Sequence, residues 1–178
     1  MQHNELIEKV LAAGAAKAAV ILEKDIVLSA SFRDICKSNG CGVYGQCWMC
    51  PPDIGEINEL MDRVHQYQYG LLYQTIYDIE DSFDIEGMGA AGVNHAQVSQ
   101  KVEDAIRPVL DKYLHLSCGG CRLCPRCAKR DQQPCRFPDR ALPPMEGYGI
   151  DVYQTTKPTH LKYINGQNTV TFFGIVLF

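Results

Sequence analysis

The chain has 178 residues, nine of them cysteine, and a formal net charge of −4, with 46% hydrophobic and 21% charged residues. That balance suits one domain over residues 1–178 with a continuous core, and excludes a disordered, highly charged tail. No run of about 18 apolar residues is present to cross a membrane, and the N-terminus lacks the basic-then-apolar pattern of a secretory signal, so a cytoplasmic protein with reduced thiols is expected.

In chain order, Leu6, Ile7, Val10 and Leu11 recur at helical spacing, and Gly14 supplies a stop. Ala18–Leu22 and Ile26–Leu28 are predicted as short strands joined by a turn at Glu23-Lys24-Asp25. The first cysteine cluster follows, as Cys36-x4-Cys41-x5-Cys47-x2-Cys50-Pro51-Pro52. Gly40, Gly42 and Gly45 let the backbone fold back around a ligand, and Tyr44 and Trp48 are placed to shield it from water. Cys47 and Cys50 also have the spacing of a thiol–disulfide pair, but that reading leaves Cys36 and Cys41 without a role.

Asp53 and Glu56 have capping-box spacing ahead of a helix whose apolar face is Ile57, Leu60, Met61 and Val64. Such a helix start would favour an anionic centre near Cys50. Gly70–Tyr77 is predicted as a buried strand. Next, Gly87-Met88-Gly89-Ala90-Ala91-Gly92 matches a dinucleotide fingerprint, but the acidic residues Asp78 to Glu86 separate it from the strand and would repel a pyrophosphate. A flexible acidic loop is expected there. A helix is predicted from Asn94 through Val98, Val102, Ala105 and Ile106, kinked or split at Pro108.

The second cysteine cluster, Cys118-x2-Cys121-x2-Cys124-x2-Cys127 followed by Cys135, carries the most chemistry. Three thiolates at two-residue gaps can wrap one cubane, each reaching a different iron, as in bacterial ferredoxins. The triplet fits from Cys118 or from Cys121. A zinc ribbon would show two separated C-x2-C pairs instead, so 4Fe–4S is preferred, with zinc as the competitor. Residues 118–140 carry a net +4, leaving −8 for the remainder, and those cations would offset an anionic cluster and raise its potential. Only Phe137 offers an aromatic surface in this stretch, so nucleic acid is not an expected partner.

His3, His65, His95, His115 and His160 are scattered, and His115 alone is close enough to Cys118 to act as a substitute ligand. Tyr148–Val152 is predicted as a helix end entering a strand, with Asp151 as a cap or an acid–base group. Asn165-Gly166 signals a turn before a last strand, Thr169–Phe178, whose apolar run suits a central position. Alternating helices and short strands give an α/β or α+β domain with cysteine-rich metal-binding loops.

The series Cys36, Cys41, Tyr44-Gly45, Trp48 and Cys50-Pro51-Pro52, then Cys121-Arg122-Leu123-Cys124, Cys127 and Pro134–Pro138, then Met145-Glu146 and Tyr148–Val152, resembles a domain-of-unknown-function family. That family is described as predicted metal-binding, cysteine-rich proteins common in anaerobic bacteria and archaea. The resemblance implies one ligand set of Cys36, Cys41 and Cys50, and another of Cys121, Cys124, Cys127 and Cys135. Cys47 and Cys118 lie outside the family pattern.

Candidate metal and cofactor ligands are therefore Cys36, Cys41, Cys47, Cys50, Cys121, Cys124, Cys127 and Cys135. The expectation is an iron–sulfur protein with one or two 4Fe–4S clusters acting in electron transfer with a redox partner protein. One alternative is a redox or Lewis-acid enzyme whose first site keeps an iron open to a small-molecule substrate. The other is a structural zinc-binding module.

Overall fold

Two apolar runs far apart in the sequence pair to make the centre of the sheet. The computed structural model describes residues 3–178; Met1 and Gln2, the start of the segment read against a secretory signal, lie outside them. Strand β2 (Tyr69–Asp78) runs antiparallel to β4 (Thr169–Leu177), with Gly70 opposite Leu177 and Asp78 opposite Thr169. Strand β1 (Lys17–Leu22) pairs antiparallel with β2, and β3 (Leu114–Leu116) antiparallel with β4, giving the order β1-β2-β4-β3. An all-antiparallel sheet settles the fold class as a single α+β domain.

Both faces of this sheet are covered, which explains the unbroken apolar text of β2 and β4. Side chains alternate between faces along a strand. Ala18, Leu71, Tyr73 and Val176 pack against helices α1 (His3–Ala12) and α4 (Ile85–Ile106) through Leu6, Val10, Val102 and Ile106. Ala19, Leu72, Phe173 and Ile175 face the other way, toward Leu60 and Val64 of helix α3 (Ile57–Val64) and toward Met145, Tyr148 and Ile150.

Three local expectations are corrected. Residues 26–28 form no strand; Leu28 makes a single bridge to Ile150. Asp53 does not cap α3, whose N-cap is Glu56 without a side-chain bond, because the Asp53 carboxylate is engaged by Lys129. Helix α4 does not wait for Asn94. Asp84 caps it, accepting a hydrogen bond from the Gly87 amide at 2.8 Å, so the glycine motif is helix rather than acidic loop. The helix ends at Ile106, two residues before Pro108.

A short helix α2 (Phe32–Lys37) leads into the first cysteine loop. Tyr148 ends a 3-10 turn, Gly149 is left-handed, and Asp151 caps helix α5 (Val152–Thr156) by accepting from the Gln154 amide at 2.9 Å. The cap reading of Asp151 is the one the structure supports. No helix among the described residues is long and apolar enough to cross a membrane.

Candidate metal centre

The sheet delivers the two cysteine loops to one end of the molecule. Cys36 sits in the last turn of α2, and the chain then turns at Gly42 and Gly45, both left-handed with φ of 73° and 66°. The Gly45 amide donates to the Pro51 carbonyl at 2.9 Å, and the Cys50 amide to the Cys47 carbonyl at 3.0 Å, closing the loop on itself. Opposite it, β3 runs directly into Cys118 and the second loop. That departure is held by Ser117, whose amide donates to Pro143 at 2.9 Å and whose carbonyl accepts from Met145 at 2.8 Å.

The thiols then fall into two groups, the two sets that the resemblance implies with Cys47 added to the second. Cys47, Cys121, Cys124, Cys127 and Cys135 line one recess, beside Trp48. Four of them, Cys47, Cys121, Cys124 and Cys127, also line an adjoining cleft of about 560 Å³, rimmed by Arg122, Arg126 and Arg130. Cys36, Cys41 and Cys50 line a separate cavity of about 390 Å³ together with Glu146. Cys47 stands three residues before Cys50 and hydrogen-bonds its thiol, yet lines the recess of the second loop. Cys118 lines neither; it borders a recess of about 110 Å³ next to Ser99 and Ser117.

The thiols feel one another. Cys47 is held down at about 6 by its hydrogen bond with the Cys50 thiol, against burial, with help from the Met49 and Cys121 amides and the Cys127 thiol. Cys50 is pushed far up as the other half of that hydrogen bond, and burial and the charges of Cys47, Cys41 and Cys36 add to it. Burial pushes Cys121 up to about 11 and drives Cys118 well above the ordinary thiol range. Crowded thiols resist shared ionisation because thiolates repel; a bound metal removes that resistance and displaces the protons.

The basic loop is less free than its charge count suggests. Arg126 pairs with Asp131 at 2.8 Å, Lys129 with Asp53, and Arg140 with Asp104. Arg122 packs on α4 instead, where a Cβ at Gly92 would stand 3.1 Å from its guanidinium. Gly92, read in the sequence as part of a nucleotide motif, is therefore a close-approach position for the thiol loop. Arg122 and Arg130 are the cleft-lining cations without a carboxylate partner among the described residues.

Two clamps hold the loops together. The Trp48 indole donates to the Gln133 carbonyl at 2.8 Å, and Lys129 sits 4.2 Å from the Trp48 ring centre while pairing with Asp53. Trp48 and Tyr44 are half-buried, as expected for shields, but Phe137 is exposed and covers little.

Sequence reasoning missed Arg33 and Glu146, because burial against distant segments leaves no local mark. Arg33 is buried, donates to the carbonyls of Gly55 at 2.8 Å and Gly147 at 3.3 Å, and lowers the Cys36 thiol against the larger effect of burial. A buried polar chain was missed too. His115 Nδ1 lies 2.9 Å from Glu103 and its Nε2 2.8 Å from the Tyr73 hydroxyl, so both ring nitrogens are occupied. The expectation of His115 as a substitute ligand is thereby corrected. From Tyr73 the chain continues to Ser99 at 2.8 Å and from Ser99 to Ser117 at 3.0 Å.

Among the described residues, no three His, Cys, Asp or Glu side chains converge on one point as a single ion requires. The thiols instead line the walls of cavities, and soft sulfur donors of this kind suit a thiophilic metal or cluster. Comparison with protein families gives a match over residues 19–178 to a family described as a predicted metal-binding protein, DUF2284. Comparison with curated proteins and with solved structures found no match.

Proposed function

The chain belongs to the DUF2284 family of predicted metal-binding proteins, and we propose that it carries a 4Fe–4S cluster on its second cysteine loop and serves in electron transfer. Cys121, Cys124 and Cys127 supply three thiolates. The fourth comes from one of the two thiols that share their recess, Cys47 and Cys135. The observation that carries this reading is the cleft itself, with four thiols spread over the wall of a space of about 560 Å³. Zinc asks for four donors at about 2.0–2.3 Å from one point. A cubane asks for thiolates distributed around a larger body.

When bound, such a cluster supplies a one-electron redox centre. The chain's own residues do the rest. Arg122 and Arg130 add positive charge beside the thiolates, which raises the potential. With Arg126, they also give the cleft a basic rim suited to an acidic redox partner. Trp48, Lys129 and Asp53 hold the two loops in register, so the thiols keep their spacing. All nine cysteines are free thiols, as metal ligation requires.

Anaerobic purification tests the proposal. A brown protein with iron and acid-labile sulfide in equal amounts, bleached by reduction, is the expected result. Cys124→Ser and Cys127→Ser abolish the cluster, Cys118→Ser retains it, and whichever of Cys47→Ser and Cys135→Ser loses it names the fourth ligand. A colourless anaerobic preparation holding stoichiometric zinc overturns the reading.

A further inference from the structure

Two side chains near the three-thiol cavity leave a buried polar atom without a partner: Glu146 in its wall, and Arg33 one helical turn before Cys36. Oε2 of Glu146 is buried without a hydrogen-bond partner, although the residue shares the cavity wall with Cys36, Cys41 and Cys50. A buried carboxylate oxygen left bare is costly and calls for a partner. Arg33 presents the complementary case. Its guanidinium is buried against two backbone carbonyls, its Nε has no partner, and no carboxylate pairs with it among the described residues. A buried cation of this kind requires an anion nearby, and Cys36 is the ionisable group it acts upon.

No fourth thiol lines this cavity, although the Cys47 thiol hydrogen-bonds Cys50 from outside it. Cys47 lines the other recess and Cys118 borders a third. The remaining walls are mainly apolar, from Ile35, Tyr44, Pro51 and Pro144. A space of about 390 Å³ is on the order of ten water molecules, far more than one ion fills.

We propose that Cys36, Cys41 and Cys50 hold a second 4Fe–4S cluster, and that the Glu146 carboxylate is its fourth and exchangeable ligand. This rests on the reading of the chain as an iron–sulfur protein. The three thiols would hold three irons of such a cluster, Arg33 would add positive charge beside Cys36, and the Glu146 carboxylate would supply the remaining donor. Carboxylate oxygen is a harder donor than thiolate and holds that iron less firmly. A small carboxylate or hydroxy acid entering between the apolar walls can therefore replace it. The exchange moves no electrons: one iron–oxygen bond to Glu146 breaks and one to the incoming oxygen forms. The first site is thus a small-molecule binding site, in contrast to the thiolate-closed second site.

The test uses the full chain reconstituted under anoxia, with iron content and electron paramagnetic resonance as readouts and citrate as the probe ligand. Wild type is expected to hold two clusters' worth of iron, and Cys36→Ser with Cys41→Ser to hold half. Glu146→Gln is expected to lose one iron under mild oxidation and develop a three-iron signal that wild type lacks. Citrate shifts the wild-type spectrum, and Glu146→Cys, which closes the position with a thiolate, retains all the iron and no longer responds. Thermal unfolding of Glu146→Gln checks that the fold is intact. If wild type holds one cluster, indifferent to Cys36→Ser and Glu146→Gln, the second site is overturned while the electron-transfer reading stands. If wild type holds no iron, both fall. If it holds two clusters and Glu146→Gln matches it in iron and spectrum, Glu146 is not a ligand.

Discussion

Tyr73 and Gly174 stand opposite each other in the β2–β4 register, and the phenol ring of the one fills the space that a side chain would need on the other. A Cβ built on Gly174 would lie 2.3 Å from the Tyr73 hydroxyl oxygen. Glycine in a central strand is normally a weakness, and here it admits the ring that anchors the polar chain to His115 and Ser99. Gly174→Ala is therefore expected to cost about 3 kcal/mol, from overpacking and the displaced hydroxyl together. Chemical denaturation reads the loss, and a midpoint equal to wild type would refute the account.

Glu103 gathers three donors, His115 at 2.9 Å, Tyr113 at 2.6 Å and Arg107 at 3.1 Å. Burial alone would raise this carboxyl, but those hydrogen bonds overturn it and hold it at about 2, below its ordinary 4.5. A carboxyl lowered on folding stabilises above its unfolded value, and that contribution disappears as pH falls from about 4.5 toward 2. Glu103→Gln should lose about 2 kcal/mol at neutral pH. Its stability should also be flatter than wild type across that acid window, as urea titrations at stepped pH would show.

His95 supplies a second, higher window. Its ring is buried beside Tyr73, its Nδ1 lies 2.8 Å from the Thr75 hydroxyl, and desolvation brings it down to about 4 from 6.5, with the charges of His115 and Arg122 adding. A histidine lowered on folding is bound neutral, so the unfolded chain takes the proton first. Stability must fall as pH drops from about 6.5 to 4, by about 3 kcal/mol in all. Replacing it as His95→Gln should reduce that slope while leaving the Glu103 window and the share of His115, which burial also lowers, in place; an unchanged slope would show that His95 does not titrate there.

Lys129 and Asp53 bind the two cysteine loops across 76 residues of sequence, with Lys129 also over the Trp48 ring. Both side chains are largely buried, so breaking the pair from one side leaves a charge uncompensated. Asp53→Asn and Lys129→Met should each destabilise, and the double variant should recover about 1–2 kcal/mol of their sum. Simple additivity in that cycle would mean the pair contributes nothing to loop register.

Elements with strong local patterning were legible in the sequence. Helix α1 and strands β1, β2 and β4 follow from apolar spacing alone, while the turn before β4 falls at Gln167-Asn168, two residues past the expected Asn165-Gly166. The first half of α4 was not, because Gly87, Gly89 and Gly92 depress helix propensity and only the Asp84 cap and the docking of Arg122 make sense of them. Likewise, the two cysteine clusters were plain and the resemblance set Cys36, Cys41 and Cys50 apart, but nothing local placed Cys47 with the second loop. Cys47 and Cys50 are three residues apart, and the tight turn between Gly45 and Pro51 sends them to different cavities. Arg33 gave no signal, and Glu146 only as part of the family resemblance, since what sets them apart is burial created by segments more than a hundred residues away from one another.

Strand order also sets a timetable. Strand β4 lies between β2 and β3, yet it is translated after every cysteine in the chain. Until it emerges from the ribosome, β3 has no neighbour to pair with and the loop from Cys118 onward has no platform. The thiols are made early and seated late: the platform beneath the second loop is complete only once β4 has joined the sheet.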